Sequence, residues 1–136
     1  MMSVDTSALV AIAIGEAHAP RLRGALESEA DIVIAAPILG ELAHVLRVKG
    51  VGPDKIDAYV ADICAAPGIR VLDFTREHAM VSIDAMRRYR RGKKGLNLLD
   101  SMAYAVAVVE KRPLLYIGHD FGRPDAPLHP MSVASP

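Results

Sequence analysis

The run Asp31-Ile32-Val33-Ile34-Ala35 is short, rich in β-branched residues and apolar on both of its faces. This pattern is typical of a central strand in a parallel sheet, which other elements cover on each side. Pro37 follows within two residues, and proline is well tolerated in the first turn of a helix. A buried strand that passes directly into a helix indicates the α/β class.

The alternation of strand and helix continues in both directions from this run. Other short apolar runs predict strands at 2–4, 69–72 and 114–117, and 131–133 is a candidate edge strand. Helical patterns fill the intervals, at about 6–14, 17–30, 37–49, 53–66, 76–91 and 98–110. Right-handed crossovers then predict an α/β fold with a central, mostly parallel β-sheet and helices on both faces.

Length and composition predict a single domain over residues 1–136, with a proline-rich C-terminal tail from about 125. Apolar residues make up 51% of the chain, enough for a real core. Lys plus Arg and Asp plus Glu both number 16, so only a local patch could attract nucleic acid or a membrane. No apolar run approaches the roughly 20 residues that span a bilayer, and no signal-peptide pattern is visible. We therefore expect a cytoplasmic protein.

The single cysteine, Cys64, excludes a disulfide within the chain and zinc sites built on cysteines. Nothing beside it would lower the pKa of its thiol, so we expect Cys64 to be a small buried apolar residue. The five histidines are scattered along the chain. Candidate chemistry therefore falls on the acidic residues.

Four acidic residues lie where the chain leaves a buried apolar segment: Asp5, Glu41, Asp100 and Asp120. A carboxylate is costly to bury unless it is paired, hydrogen-bonded or bound to a cation. At the carboxyl end of a parallel sheet such residues would form a site for a hard divalent metal, Mg²⁺ or Mn²⁺. The ion would lower the pKa of a bound water and stabilise charge on a phosphoryl oxygen, which is phosphodiesterase chemistry. Without it the carboxylates repel, so at least one pKa should rise.

Each of these acids also has a structural interpretation. Asp5 is a favoured helix N-cap, and Asp100 stands at capping-box spacing from Asn97. Glu41 near a helix N-terminus complements the helix dipole, and Asp120 suits a turn. The hydroxyls of Thr6 and Ser7 could ligate a metal or its water. Alternatively, they could only form N-cap hydrogen bonds at the start of the helix. The four acids together favour a functional site over four separate structural roles.

Four segments resemble the acidic motifs of PIN-domain ribonucleases, and among these the VapC-type toxins of toxin–antitoxin pairs. They are the run Val4-Asp5-Thr6-Ser7-Ala8-Leu9, the helix of Glu41, residues 96–105 around Asp100, and residues 114–121 with Asp120. The match is collinear over nearly the whole chain, although the family often has Asn where this chain has His119. Each motif is short, and their order and spacing carry the resemblance.

The resemblance implies Mg²⁺- or Mn²⁺-dependent endonucleolytic cleavage of RNA, inhibition by a cognate antitoxin, and a homodimer. It places the metal and the catalysis on Asp5, Glu41, Asp100 and Asp120. Supporting roles are expected for Thr6, Ser7, Asn97 and Asp125. The sequence does not name the RNA target, the antitoxin or the number of metal ions.

A basic run precedes the motif of Asp100 and fits a nuclease. Its cations could bind RNA phosphates, although cations at a helix end are also often a solvated face. The run comprises Arg87, Arg88, Arg90, Arg91, Lys93 and Lys94.

Two other functions remain open at this point. The first is a catalytically inactive PIN fold that serves as a binding module. The second is a phospho-acceptor receiver domain, in which Asp73 would be the acceptor, but it leaves Glu41 and Asp100 without a role. A serine hydrolase lacks its Gly-x-Ser-x-Gly turn in this sequence.

Overall fold

The secondary structure of the chain follows the predicted alternation of strands and helices. The computed structural model describes residues 1–91, 94–118 and Ser132. The predicted site residues Lys93, Asp120 and Asp125 lie outside the described residues, as does most of the predicted tail. In chain order the elements are β1 (Met2–Val4), α1 (Thr6–Ile14), α2 (Ala19–Glu27), β2 (Ile32–Ala35), α3 (Ala36–Val48), α4 (Pro53–Ala65), β3 (Ile69–Leu72), α5 (Arg76–Tyr89), β4 (Arg90–Arg91), β5 (Lys94–Gly95), α6 (Leu98–Val109) and β6 (Leu114–Leu115).

Among the described residues, four parallel strands form the main sheet, in the order β3-β2-β1-β6. In β2, Val33 and Ile34 are fully buried, and Val33 pairs with Ser3 on one side and Arg70 on the other. The interpretation of 31–35 as a central strand is therefore confirmed. Strand β3, at one edge of the described sheet, is more exposed than β2.

The strand order contains one reversal, and this reversal positions the functional site. The chain proceeds from β1 to β2 to β3 in one direction and then returns to place β6 on the other side of β1. Right-handed crossovers put the helices before and after this reversal on opposite faces of the sheet. A crevice therefore opens beyond the carboxyl ends of β1 and β6, where ligands bind in open α/β sheets.

The core lies between the sheet and its helices. Its largest fully buried side chains include Leu22 from α2, Ile38, Leu42 and Leu46 from α3, and Leu114 from β6. Helix α1 is apolar over most of its surface, which suits a helix that packs against both α2 and α3. The α/β fold with a parallel sheet flanked by helices is thus as predicted.

An ion pair between Arg112 and Asp31, here called the arginine clamp, lies at the end of the sheet opposite the crevice. Arg112 is 8% exposed and follows α6, while Asp31 precedes β2. The Arg112 guanidinium lies 3.0 Å from Asp31 Oδ2 and donates to the Asp31 carbonyl at 3.1 Å. The hydrogen bonds from Arg112 and Arg70 hold the pKa of the Asp31 carboxyl below its usual value.

Two local expectations are corrected by the structure. Cys64 is exposed and not buried, because α4 packs on the core through Ile56 and Ile63, and Cys64 lies about 100° further round the helix. The helix predicted to reach 91 ends at Tyr89, and the chain forms a short antiparallel pair, β4 and β5.

At the other end of the chain, Ser132 lies beside β6. Its hydroxyl accepts a hydrogen bond from Tyr116 N–H and donates to the Leu114 carbonyl. The rest of the candidate edge strand at 131–133 lies outside the described residues. No helix in the described part of the chain has the length and apolarity that crossing a bilayer requires.

Candidate active site

A pocket of about 290 Å³ opens at the crevice beside β1. It brings together three of the four predicted acids, and the two hydroxyl residues that follow the first of them. The fourth acid, Asp120, lies outside the described residues. The described lining consists of Asp5, Thr6, Ser7, Val10, Glu16, Glu41, Val45, Lys49, Asp100 and Ile117.

Asp5 lies at the base of this pocket, between β1 and α1. It is the N-cap of α1 and is 3% exposed. Its Oδ2 accepts hydrogen bonds from Ser7 N–H at 3.0 Å and from Ser7 Oγ at 2.6 Å. Its Oδ1 is buried and has no hydrogen-bond partner among the described residues. The helix cap therefore uses one carboxylate oxygen and leaves the other unsatisfied, which is costly unless a cation or a water completes it.

The ionisation of Asp5 reflects this environment. Burial raises its pKa from 3.8 to about 6, against the lowering effect of the hydrogen bonds from Ser7. The negative charge of Glu41 raises the pKa further. A raised pKa was expected from repulsion among the carboxylates, but desolvation is the larger cause here.

Ser7 joins the two strands that border the crevice. Its hydroxyl donates to Asp5 Oδ2 and accepts from Ile117 N–H at 2.9 Å. It therefore fixes the orientation of Asp5 and holds the chain after β6 against the start of α1. The neighbouring hydroxyl of Thr6 is buried and has no partner within the described part of the chain. It remains able to bond a ligand or a water.

Asp100 enters the pocket from the first turn of α6. It forms a complete capping box with Asn97: Asp100 Oδ2 accepts from Asn97 N–H at 3.1 Å, and Asn97 Oδ1 accepts from Asp100 N–H at 2.8 Å. The structural interpretation of Asp100 is therefore correct. It does not exclude a functional role, because Asp100 is 8% exposed and lines the carboxylate pocket.

Glu41 reaches the same pocket from α3, where it is half-buried. Val45 and Lys49 follow it at intervals of four residues, and all three line the pocket. Positions i, i+4 and i+8 lie along one side of a helix. Helix α3 therefore presents a stripe to the crevice that begins with an acid and ends with a base.

Two charged residues of the described lining, Glu16 and Lys49, were not predicted from the sequence. Glu16 is held at the pocket after α1, because Gly15 adopts a left-handed conformation (φ 69°) and Glu16 N–H bonds back to the Ala11 carbonyl at 2.9 Å. In the sequence, Gly15 indicates the end of α1 and could have pointed to Glu16 directly after it. The position of Lys49 could have been read from its spacing to Glu41.

The donors in the pocket fit a hard divalent cation. They are carboxylate and hydroxyl oxygens, and two of them, Asp5 Oδ1 and Thr6 Oγ1, are buried without a protein partner among the described residues. No three His, Cys, Asp or Glu side chains within residues 1–91, 94–118 and 132 lie close enough to form a metal-binding group. The described acids therefore converge on one pocket without forming a closed coordination shell, and the four-carboxylate metal site stays a prediction.

Within the predicted basic run, Arg87 and Arg88 are not part of the described lining of the carboxylate pocket. Arg87 and Arg88 are exposed at the end of α5. Arg88 pairs with Asp84 at 3.0 Å and lies over the ring of Tyr89, 5.1 Å from its centroid. Arg90, Arg91 and Lys94 belong to β4 and β5.

Asp73, the acceptor in the receiver-domain alternative, is exposed after the edge strand β3. It is not part of the described lining of the carboxylate pocket. A receiver domain would need its acceptor among the metal-binding acids, so the geometry of the described residues does not support that alternative.

The fold and the pocket together define a class of α/β domains with buried carboxylates at the switch point of a parallel sheet. The chain belongs to the PIN domain family, whose model matches residues 2–127. It is 37% identical to ribonuclease VapC36 of Mycobacterium tuberculosis over 127 residues, which cover 91% of this chain and 90% of that protein. The resemblance to VapC-type ribonucleases is confirmed, and by family the protein is a ribonuclease.

Solved structures share the fold. The M. tuberculosis toxin VapC20, described as cleaving the sarcin-ricin loop, superposes with a TM-score of 0.75 at 20% identity, covering 90% of this chain and 93% of that one. A toxin–antitoxin complex from Klebsiella pneumoniae gives a TM-score of 0.73 at 16% identity, with 96% and 98% covered. At sequence identities this low, the structural similarity shows that the fold is shared and shows nothing more.

Proposed function

We propose that the carboxylate pocket hydrolyses phosphodiester bonds in RNA with a divalent ion, Mg²⁺ or Mn²⁺. Asp5, Glu41 and Asp100 would hold the ion, together with Asp120 from outside the described residues. The observation that carries this proposal is the buried Asp5 Oδ1 without a partner, in a pocket whose polar lining consists mostly of oxygen donors. A divalent cation satisfies that atom and offsets the cost of keeping Asp5 ionised.

The acids and hydroxyls of the pocket each have a defined task in this proposal. When bound, the ion lowers the pKa of a water molecule and stabilises negative charge on the phosphoryl oxygens. Ser7 holds Asp5 Oδ2, so that Oδ1 is left for the ion. The capping box of Asn97 restrains Asp100 in the same way. Glu41 orients the attacking water in line with the scissile bond, and Thr6 Oγ1 can donate to a ligand of the ion.

The substrate and the partners follow from the family. VapC36 is named a ribonuclease, and VapC20 is described as a toxin, so we propose that this protein is the toxin of a toxin–antitoxin pair that acts on RNA in the cytoplasm. The cations of the run 87–94 would add salt-dependent contacts to RNA phosphates. The Klebsiella structure is a complex of a toxin with an antitoxin. We propose that a cognate antitoxin of this protein covers the active site and places a basic side chain among the acids. We also propose a homodimer as the form of the free toxin.

The first test is cleavage of a mixed cellular RNA pool by purified, antitoxin-free protein in Mg²⁺, in Mn²⁺ and in EDTA. The Asp100→Asn variant serves as the inactive form, because Asn can keep the capping box. Asp57→Asn, which removes an exposed carboxylate on α4 outside the pocket lining, is the matched control. We expect discrete fragments from wild type and Asp57→Asn with metal, and none with EDTA or Asp100→Asn.

Two results would contradict the proposal in different ways. A folded protein that binds Mn²⁺ but cuts no RNA would point to a function other than RNA cleavage. A folded protein that binds neither Mg²⁺ nor Mn²⁺ would remove the metal site and favour the inactive PIN-fold binding module. Thermal melting of each variant establishes that it is folded.

A further inference from the structure

Lys49 is a cation in the lining of a pocket that otherwise carries acids. The described lining contains four carboxylates, Asp5, Glu16, Glu41 and Asp100, and the single basic residue Lys49. RNA brings a negative charge with every phosphate, so such a pocket repels the strand on either side of the metal-bound position. A lysine at the rim reduces this repulsion at one defined place.

The position of Lys49 is set by α3. It is the C-cap of the helix, and its N–H bonds to the Val45 carbonyl at 3.0 Å. It lies eight residues after Glu41, which corresponds to about 12 Å along the helix axis. Its ammonium therefore suits a phosphate that flanks the scissile one. It forms no ion pair with any described residue, so its charge is available to a ligand.

A second cavity adjoins the first at Lys49. It has a volume of about 630 Å³, and it lies between the end of α1 and the loop that joins α3 to α4. Lys49 lines both cavities, and Lys55 adds a second cation to the lining of the second one. The rest of the described lining is mostly apolar, with Ile14, Val51 and Pro53, and it includes one acid, Asp54; Ile14 is 39% exposed.

We propose that the RNA strand leaves the carboxylate pocket past Lys49 and places the adjacent nucleotide in this second cavity. Lys49 and Lys55 bind successive phosphates, and Ile14 and Val51 contact the base or the ribose. The inference rests on the proposed ribonuclease function and assigns its flanking subsite. It also places an RNA contact on the α1 and α3 side of the crevice, separate from the run 87–94.

Charge and continuity favour RNA over a protein segment in this cavity. The two lysines have no ion-pair partners among the described residues, and the cavity shares a wall residue with the site where the phosphodiester is cut. A flexible acidic peptide would satisfy the lysines but has no reason to continue into a pocket of four carboxylates. An RNA strand continues there because its scissile phosphate binds the metal.

The test measures RNA binding independently of cleavage. A pool of fluorescein-labelled 14-nucleotide RNAs of random sequence is titrated with wild type, Lys49→Gln, Lys55→Gln and the double variant, in Ca²⁺ and at several salt concentrations. Ca²⁺ binds carboxylate oxygens as Mg²⁺ does, so it can anchor the scissile phosphate in the pocket, and a gel of each sample checks that the RNA is intact. A titration in EDTA gives the comparison without the ion. Lys111→Gln is the control, because Lys111 is exposed beyond the far end of α6. We expect each subsite variant to weaken binding by about three- to tenfold and to reduce the salt slope by about 0.7.

Lys49→Arg should restore most of the affinity, since it keeps the charge. Unchanged affinity and slope in the double variant would overturn the inference and leave an acidic protein segment as the occupant of the cavity. Equal losses in Lys111→Gln would overturn it too, because they would show a nonspecific charge effect. Absence of RNA cleavage by wild type in Mg²⁺ and Mn²⁺ would refute the proposed function, while the binding titration would still decide the role of Lys49.

Discussion

Asp5 combines two roles in one side chain, because one of its oxygens caps α1 and the other is buried without a described partner. The cap explains why the sequence carries an acid directly after β1. The unsatisfied oxygen explains why an ionised acid is costly at this position. In the proposed function Asp5 binds the metal ion, and such a residue would destabilise the fold without its ligand, as functional sites commonly do.

Asp5→Asn should stabilise the metal-free protein at neutral pH. The pKa of Asp5 is about 6 in the folded state and near 3.8 when unfolded, so the folded state binds the proton more tightly. The free energy of unfolding therefore falls as the pH rises from about 4 to 6, by about 3 kcal/mol in total. Urea unfolding in EDTA between pH 4 and 8 should show this decline in wild type and a flatter curve in Asp5→Asn. A variant less stable than wild type at pH 7.5 would show that the charge of Asp5 supports the fold.

Ser7→Ala should both destabilise the protein and raise the pKa of Asp5 further. The substitution removes a hydrogen bond that lowers this pKa and leaves Ile117 N–H without its acceptor. We expect a loss of about 1–3 kcal/mol in unfolding free energy. NMR titration of the Asp5 carboxyl tests the pKa, and Ser28→Ala, at the end of α2, is the control. An unchanged pKa would show that Ser7 does not influence the ionisation of Asp5.

At the scale of helices and strands, the ion pair that links α6 to β2 lies at the end of the sheet away from the crevice. Its contribution to stability also changes with pH in the opposite direction to that of Asp5. Arg112 and Asp31 join the residues after α6 to the start of β2, away from the carboxylate pocket. The clamp needs an ionised Asp31, and the pocket is less stable with an ionised Asp5. The two ends of the sheet therefore contribute opposite slopes to stability in acid.

Asp31→Asn should lower stability at pH 7 and leave RNA cleavage unchanged. The folded-state pKa of Asp31 is depressed, so its contribution is present above the unfolded value of 3.8 and is lost as the pH falls through the lower folded value. The difference between wild type and variant in thermal midpoint should therefore shrink below pH 4. A constant difference across this range would assign the loss to packing. Loss of cleavage in Asp31→Asn at temperatures where it is folded would contradict the separation of clamp and pocket.

In the molecule as a whole, the reversal of strand order brings together acids that are distant in the sequence. Asp5 follows β1, Glu41 lies in α3 and Asp100 in α6, and their shared pocket exists only when all of these elements are packed. Binding of an ion at this pocket is therefore linked to global folding.

Mn²⁺ should raise the melting temperature of wild type but not that of Asp100→Asn. At 100 times the dissociation constant, a ligand of the folded state stabilises by about 2.7 kcal/mol. Differential scanning calorimetry across a Mn²⁺ series would show a graded increase for wild type and for the control Asp57→Asn. An equal increase in Asp100→Asn would place the ion elsewhere on the protein.

The sequence allowed the local features to be predicted because each rests on neighbouring residues. The buried strand at 31–35, the Asn97 cap and the acid after β1 were all correct, since periodicity and capping act over a few positions. Cys64 was predicted wrongly because residue type alone does not say which side of α4 meets the core.

The sequence by itself was sufficient to predict the α/β class, the parallel sheet and the small set of candidate acids. Packing alone settled which acids share a pocket and that Asp5 keeps one oxygen without a described partner. The physical reason is that burial, desolvation and cavity shape depend on side chains brought from distant parts of the chain. These long-range contacts form when the sheet reverses its strand order, and no local pattern encodes them.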